Sequence, residues 1–214
     1  MVKEGYPWIL TPLAAALAAG LLYLFWPAAS LLALALALLL LTAFMAYFFR
    51  DPRRDAPAEA GLVVSPADGR VTRVEKLSGA DAQSPTVVSI FLSPFDVHVN
   101  RAPIAGTVVD VTYTKGLFKA ATSDRASLVN EQNALTIRGE HMTVVCKQIA
   151  GVLARRIVCW KRPGDTLGLG ERFGLIKFGS RTDLVLPPEV SVSVSVGERV
   201  SGGVSVIGRY RIGE

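Results

Sequence analysis

The sequence predicts a mainly β domain, α+β at most, whose antiparallel strands close as a sandwich or barrel behind an N-terminal transmembrane helical hairpin. Two observations carry this. No Asp, Glu, Lys or Arg occurs between Gly5 and Phe49, so 39 of the 41 such residues fall in residues 50–214. Beyond residue 60, short Val-, Ile- and Thr-rich runs alternate with Gly, Pro and Asp. An uncharged stretch of that length belongs to a membrane segment, and β-branched runs between turn residues are the pattern of strands. The charge density of the remainder is that of an ordinary globular domain, which excludes disorder, collagen, a coiled coil and a disulfide scaffold.

Residues 1–50 are read as the anchor. As one helix, residues 7–49 would extend about 65 Å, twice a hydrocarbon core. Trp26-Pro27-Ala28-Ala29-Ser30 interrupts them with an interfacial aromatic, a helix breaker and a candidate N-cap at Ser30, so two helices of about twenty residues are expected, although a single pass is the alternative. Lys3 precedes the first helix and Arg50, Arg53 and Arg54 follow the second, which places both ends, and the domain behind them, on the cytoplasmic side of the cell membrane. A cleaved signal peptide does not fit a run this long that ends in FFRDPRR. Residues 51–60 read as a polar linker.

Residues 61–214 form the predicted β domain. Its strand runs are LVVSPADGRVTRVEKL, PTVVSIFLS, GTVVDVTYT, ALTIR, MTVVCKQIAGVLARRIVCW, FGLIKFG, TDLVLP, VSVSV and GGVSVIGRY, with one short helix expected near Ala121–Leu128. Cys146 and Cys159 read as small buried hydrophobes, since neither belongs to a CxxC pair or a ligand-spaced cluster, and no metal is expected. The net charge of +5, on a chain with an anchor, points to an anionic lipid surface and not to nucleic acid. Pro66–Val71 echoes Pro103–Val108, and Gly170-Glu171-Arg172 echoes Gly197-Glu198-Arg199. These repeats resemble the interlocking hairpins of lipoyl- and biotinyl-carrier hammerheads, a likeness of fold without the carrier lysine.

The segment Phe178-Gly179-Ser180-Arg181-Thr182-Asp183 lies between two predicted strands, Phe173–Phe178 and Leu184–Leu186. Taken with LSPFDVHVNRAPIAG (92–106), SPADG (65–69), GLFKA (116–120) and NEQNALTI (130–137), it resembles the phosphatidylserine decarboxylase proenzymes, in particular their short form with an N-terminal anchor. The likeness keeps motif order over nearly all of residues 60–190.

The resemblance implies a self-processing enzyme. Ser180 attacks the Gly179 carbonyl, β-elimination follows, and the chain parts into 1–179 and 180–214 with a pyruvoyl group, derived from Ser180, at the new terminus. That group decarboxylates phosphatidylserine, or a closely related serine phospholipid, to phosphatidylethanolamine and CO2 through a Schiff base. Each step selects a residue type: Gly179 for a strained turn, Ser180 for a nucleophile that becomes a leaving group. The resemblance also makes His98 the expected proton carrier: LSPFDVHVNRAP matches the family's histidine segment, where a lone histidine would otherwise read as structural, and the other histidine, His141, sits in a turn motif. Asp68 matches the family's aspartate, although Asp-Gly is equally a plain turn.

Two departures bear on the site. Arg101 stands where many members have a second histidine, and FGSR replaces LGST. Either His98 serves both cleavage and decarboxylation, or cleavage relies on strain at Gly179 and oxyanion donors. Arg101 and Arg181 are expected to meet the substrate's carboxylate or phosphate, or else to be solvated. Leu117, Phe118 and Lys119 are expected to dip into the headgroup layer, with strand-end packing as the alternative. Membrane, phospholipid and the two cleaved chains are the expected partners, in a homo-oligomer. A noncatalytic membrane adaptor and a serine hydrolase using Ser180, His98 and Asp68 are the competing readings; no G-x-S-x-G elbow supports the hydrolase.

Overall fold

The computed structural model describes residues 1–77, 83–120, 123, 126–152 and 156–211, and divides the chain into two compact units, Met1–Pro52 and Arg53–Glu214. In the first unit two helices, α1 (Tyr6–Phe25) and α2 (Ala29–Phe48), are each long and apolar enough to cross a membrane. Twenty residues rise about 30 Å, the thickness of a hydrocarbon core. Val2 N donates to Phe49 O at 3.2 Å, so the two outer ends of the pair meet on one side. Gly5 permits that meeting, because a Cβ there would lie 2.5 Å from Cβ of Phe49. At the same end Arg50 donates to Tyr47 O and lies 3.8 Å over the Tyr47 ring, a cation satisfying the last carbonyls of α2. Ser30, expected as the N-cap, is one residue inside α2; Ala28 takes the cap position without a side-chain bond.

In the second unit the strands are β1 (Leu62–Val64), β2 (Gly69–Lys76), β3 (Thr86–Leu92), β4 (Val99–Arg101) and β5 (Gly106–Thr114). After the one-turn helix α3 (Ala126–Val129) come β6 (Gln132–Arg138), β7 (Thr143–Ile149), β8 (Arg156–Cys159), β9 (Thr166–Leu167) and β10 (Arg172–Lys177). The last are β11 (Ser180–Leu186), β12 (Ser191–Val192), β13 (Arg199–Val200) and β14 (Val206–Arg209). Of the expected helix at 121–128, residues 121, 122, 124 and 125 lie outside the described residues. An eight-stranded antiparallel sheet, ordered β13-β2-β3-β11-β7-β6-β5-β9, curls as a half-barrel. Two three-stranded sheets, β1-β14-β12 and β4-β10-β8, complete the unit.

Alternation builds the core. Val88, Ile90 and Leu92 of β3, Leu135 and Ile137 of β6, Val144 and Cys146 of β7, and Leu184 and Leu186 of β11 all enter one cluster with Phe173 and Ile207. The Cys146 thiol is pushed up by burial, as expected of a buried hydrophobe. The strands missed by the sequence reading, β4 and β9, are three and two residues long, too short to show a period.

The GER repeats make the same turn twice. Glu171 accepts from Gly168 N at 2.8 Å and Glu198 from Ser195 N at 3.1 Å, with Gly170 (φ 71°) and Gly197 (φ 96°) at the left-handed position. The Gly168 N–H, and then Lys161, hold the Glu171 carboxyl below its ordinary range. A carboxyl depressed in the folded state adds stability above its unfolded pKa, and that stability is lost as pH falls through the folded value. Glu171→Gln is therefore expected to lower the thermal midpoint at pH 7, with the gap to the parent chain closing below about pH 4. Midpoints measured across that range check this; a gap that ignores pH would exclude it.

Candidate functional site

The chain changes sheets between Lys177 and Ser180. β10 pairs with β4 and β8, whereas β11 pairs with β3 and β7, and only Phe178 and Gly179 lie between. Both take left-handed backbone, φ 66° and 40°. Phe178 is the one non-glycine residue with positive φ among the described residues, a conformation that costs an L-residue roughly 1–2 kcal/mol. A Cβ at Gly179 would meet nothing within 4 Å, so glycine is required there by torsion and not by space. Sequence reasoning expected Ser180 in a loop running to Asp183. It is instead the first residue of β11, because β3 and β7 pair with the strand almost to the corner: Ser180 lies opposite Leu92, and Arg181 opposite both Phe91 and Ile149.

Ser180 is fully buried, and its hydroxyl has no hydrogen-bond partner among the described residues. A buried hydroxyl without a partner costs about 1–3 kcal/mol. It directly follows the strained peptide.

His98 is brought to this corner by register. The segment 93–98 leaves β3 at Leu92, opposite Ser180, and Ile176 N donates to His98 O at 3.2 Å, so 92–98 spans the same corner as 176–180. His98 is 2% exposed, with Nδ1 3.0 Å from Asp96 O. Only a protonated nitrogen can donate to a carbonyl, which assigns the proton to Nδ1 and makes Nε2 the basic nitrogen. Asp96 fixes this loop: it accepts from Ser93 N and Oγ at 2.8 and 2.7 Å and pairs with Arg199 at 3.2 Å. The sequence reading did not single out Asp96, although its spacing from Ser93 is that of an Asx-type turn.

Asp68 lies in the turn before β2. Its Oδ2 pairs with Arg54 Nη2 at 2.8 Å and its Oδ1 accepts from Gly202 N at 2.7 Å. β3 separates β2 from β11, so the backbones on either side are two strand spacings, about 10 Å, apart. Neither arginine is solvated. Arg101 is 7% exposed and donates to Gly170 O at 3.1 Å. Arg181 forms a two-pronged pair with Asp183, Nε to Oδ1 at 2.9 Å and Nη2 to Oδ2 at 3.2 Å, and also donates to Ser123 O. Leu117 and Phe118 are 53% and 37% exposed on a loop stapled by Asn130, which accepts from Lys119 N and donates to Lys119 O and Ala150 O. His141 sits in the β6–β7 turn against the ring of Tyr210.

Sequence reasoning also missed a row of buried amides beneath the corner. Asn133 Nδ2 donates to Gln148 Oε1 at 3.0 Å, Gln148 Nε2 to Asn100 Oδ1 at 2.9 Å, and Asn100 Nδ2 to Thr182 Oγ1 at 3.0 Å. Gly174 makes room for it, since a Cβ there would stand 2.9 Å from Gln148 Nε2 and 2.3 Å from Val158 O.

Comparison with known proteins agrees with the motif likeness. Residues 41–208 match the family described as phosphatidylserine decarboxylase. The phosphatidylserine decarboxylase proenzyme of Solibacter usitatus is 50% identical over 196 residues, 92% of each chain. That of Carboxydothermus hydrogenoformans is 44% identical over 214 residues, 99% of this chain and 97% of the relative. A match over most of the chain, carrying the strained Gly179–Ser180 corner within it, means that this chain belongs to the phosphatidylserine decarboxylase family.

Proposed function

We propose that the chain decarboxylates phosphatidylserine, or a closely related serine phospholipid, to phosphatidylethanolamine and CO2, and that it first cuts itself between Gly179 and Ser180 to make its own pyruvoyl group. Family membership supports the reaction. The observation that carries the self-processing is the Ser180 hydroxyl, buried without a hydrogen-bond partner among the described residues, directly after two left-handed residues. That arrangement fits the group's formation: a nucleophile with no competing hydrogen bond lies beside a peptide whose rearrangement releases strain.

In the cleavage, Ser180 Oγ adds to the Gly179 carbonyl carbon while its proton passes to a base. The C–N bond breaks, leaving an ester and a free Ser180 amine. Elimination of the ester frees the Gly179 carboxylate, and the dehydroalanine left behind takes up water and releases ammonia. His98 Nε2 is the proposed base, since Nδ1 is committed to Asp96 O. Asp68 is proposed to act indirectly, by fixing the turn at Gly202 to which its Oδ1 is bonded. The resulting pyruvoyl group supplies an electron sink for the carbanion left by CO2. His98 would then return a proton to that carbon.

Burial of His98 and Ser180 keeps bulk water from the serine's attack and from the carbanion left by CO2. Arg101 and Arg181 are proposed to face the lipid's carboxylate or phosphate; each already has a protein acceptor, so a substrate anion would share its guanidinium. Leu117 and Phe118, exposed beside Lys119, would enter the headgroup layer. The cationic residues at the outer ends of the helical pair, Lys3 and Arg50, with Arg53 and Arg54, favour the cytoplasmic side.

Three measurements test this. Intact mass and denaturing electrophoresis should find the 35-residue fragment 180–214, blocked and carbonyl-reactive at its start, and Ser180→Ala should give one uncut chain. A parent chain that stays whole would leave the adaptor or hydrolase reading. Phe178→Gly removes the left-handed penalty and should slow cleavage by about tenfold, as a loss of 1–2 kcal/mol of stored strain predicts; an unchanged rate would mean the strain does not drive the step. His98→Ala should stay folded, cut itself far more slowly, and in any fraction that does cut lose decarboxylation by at least about a hundredfold; parental rates of both would remove His98 from the chemistry.

A further inference from the structure

The buried amide row has a geometry that the core does not need. Asn133, Gln148 and Thr182 are successive cross-strand neighbours on β6, β7 and β11, facing the interior of the eight-stranded sheet. The fourth member, Asn100, belongs to β4 of a different sheet. All four are at most 3% exposed, and the residues beyond them on the same faces, Leu135, Cys146 and Leu184, are apolar. Hydrophobic side chains would fill the space at less desolvation cost, so what the amides add is directional: they fix which residue of β4 lies over which residue of β11.

That register matters because of what lies two residues away along each segment. Asn100 is two residues after His98, and Thr182 is two residues after Ser180. On β11, Ser180 and Thr182 share a face and are about 6.6 Å apart, whereas His98 is the residue just before β4, held there by Ile176 N donating to its carbonyl. The Asn100–Thr182 bond therefore ties the strand that begins right after His98 to the strand that begins at Ser180, one same-face step from the serine. β4 and β11 share no backbone ladder, so this side-chain bond joins two strands that belong to different sheets. Gln148 completes the link by occupying Asn100 Oδ1, which orients the Asn100 amide so that its donors face Thr182 Oγ1 and, at 3.4 Å, Pro66 O of the turn that holds Asp68.

We infer that Asn100, Gln148 and Thr182 are positioning residues: a hydrogen-bonded clamp between two sheets that holds β4, and with it His98 just before β4, in reach of the scissile serine. The inference rests on the self-processing reading. It predicts that breaking the clamp slows cleavage in a fully folded chain, because a misplacement of about 1 Å between reacting groups can cost a hundredfold.

The experiment follows cleavage of the full-length chain after cell-free synthesis into lipid nanodiscs, by pulse-chase and electrophoresis. Temperatures are kept well below each variant's thermal midpoint. Thr182→Val deletes the acceptor and keeps the shape; Thr182→Ser keeps the hydroxyl. The expected result is a ten- to hundredfold slower cleavage in Thr182→Val and a near-parental rate in Thr182→Ser. Gln148→Met releases Asn100 without changing β4 or β11 and should slow cleavage likewise, which covers the case in which Thr182→Val does not fold. In the fraction that does cut, decarboxylation per mole of pyruvoyl should show a lower kcat with KM unchanged, a split that partial unfolding would not produce. If the parent chain never cuts, the self-processing reading fails. If the parent cuts, and a folded Thr182→Val or Gln148→Met cuts at the same rate, the clamp alone is overturned.

Discussion

The chain has two residues in which to leave one sheet and join another. β10 ends at Lys177, laddered to β4 and β8, and β11 begins at Ser180, laddered to β3 and β7. Neither side can yield easily. β11 has seven register pairs with β3, and β10 is pinned where Gly174 passes within van der Waals reach of Val158 O and Gln148. The corner therefore takes up the misfit, as left-handed torsions at Phe178 and Gly179. A glycine at 179 answers part of the demand, but an aromatic residue at 178 does not, and its cost stays in the folded chain because the ladders on both sides over-determine it.

That constraint also explains the company the corner keeps. On the proposed reading a strained peptide beside a buried hydroxyl is useful only if a base is held at a fixed distance, and the proposed base, His98, comes from a loop that has no ladder of its own between Leu92 and Val99. Asp96 supplies the missing rigidity by capping Ser93 and pairing with Arg199, while its own carbonyl sets the His98 tautomer. Arg181 and Asp183 add a buried ion pair on the opposite face of β11 from Thr182 and Leu184. Such a pair contributes little net stability against the desolvation of both charges. Its geometric effect is plainer: it ties the first residues of β11 to one another and to Ser123.

Much of this was legible in the sequence, and what was not has a physical cause. The helical pair was legible because a charge-free run too long for one crossing, broken at Trp26-Pro27, admits few arrangements. The long strands were legible from Val and Ile alternation, and the GER repeat did mark a recurring turn. Gly179-Ser180 stood out only through its surrounding motifs. The amides of Asn100, Gln148 and Asn133 carried no signal, since a polar residue in a strand reads as solvent-facing unless its partner is known, and these partners lie 15 to 82 residues apart. The burial of Arg101 was hidden for the same reason: its acceptor, Gly170 O, comes from a turn 69 residues downstream.

The placement of the serine at the start of a central strand, and not in an exposed loop, bears on what a cut would do. Residues 180–214 contribute β11 to the middle of the eight-stranded sheet, β13 to its edge against β2, and β14 between β1 and β12. Among the described residues, apart from the β12–β14 pairing, which is internal to it, that segment ladders only with strands before residue 180. A chain parted before Ser180 therefore keeps its ladders and its shared core, in which Leu184, Leu186 and Ile207 pack with Val88, Ile90 and Ile137. The break frees the corner alone, where the backbone was strained. Cutting there would relieve torsion without opening the fold, and would leave the new terminus paired to β3, with β7 flanking it from the next residue. A reacting group at that terminus inherits the order of a central strand, which a loop could not have given it.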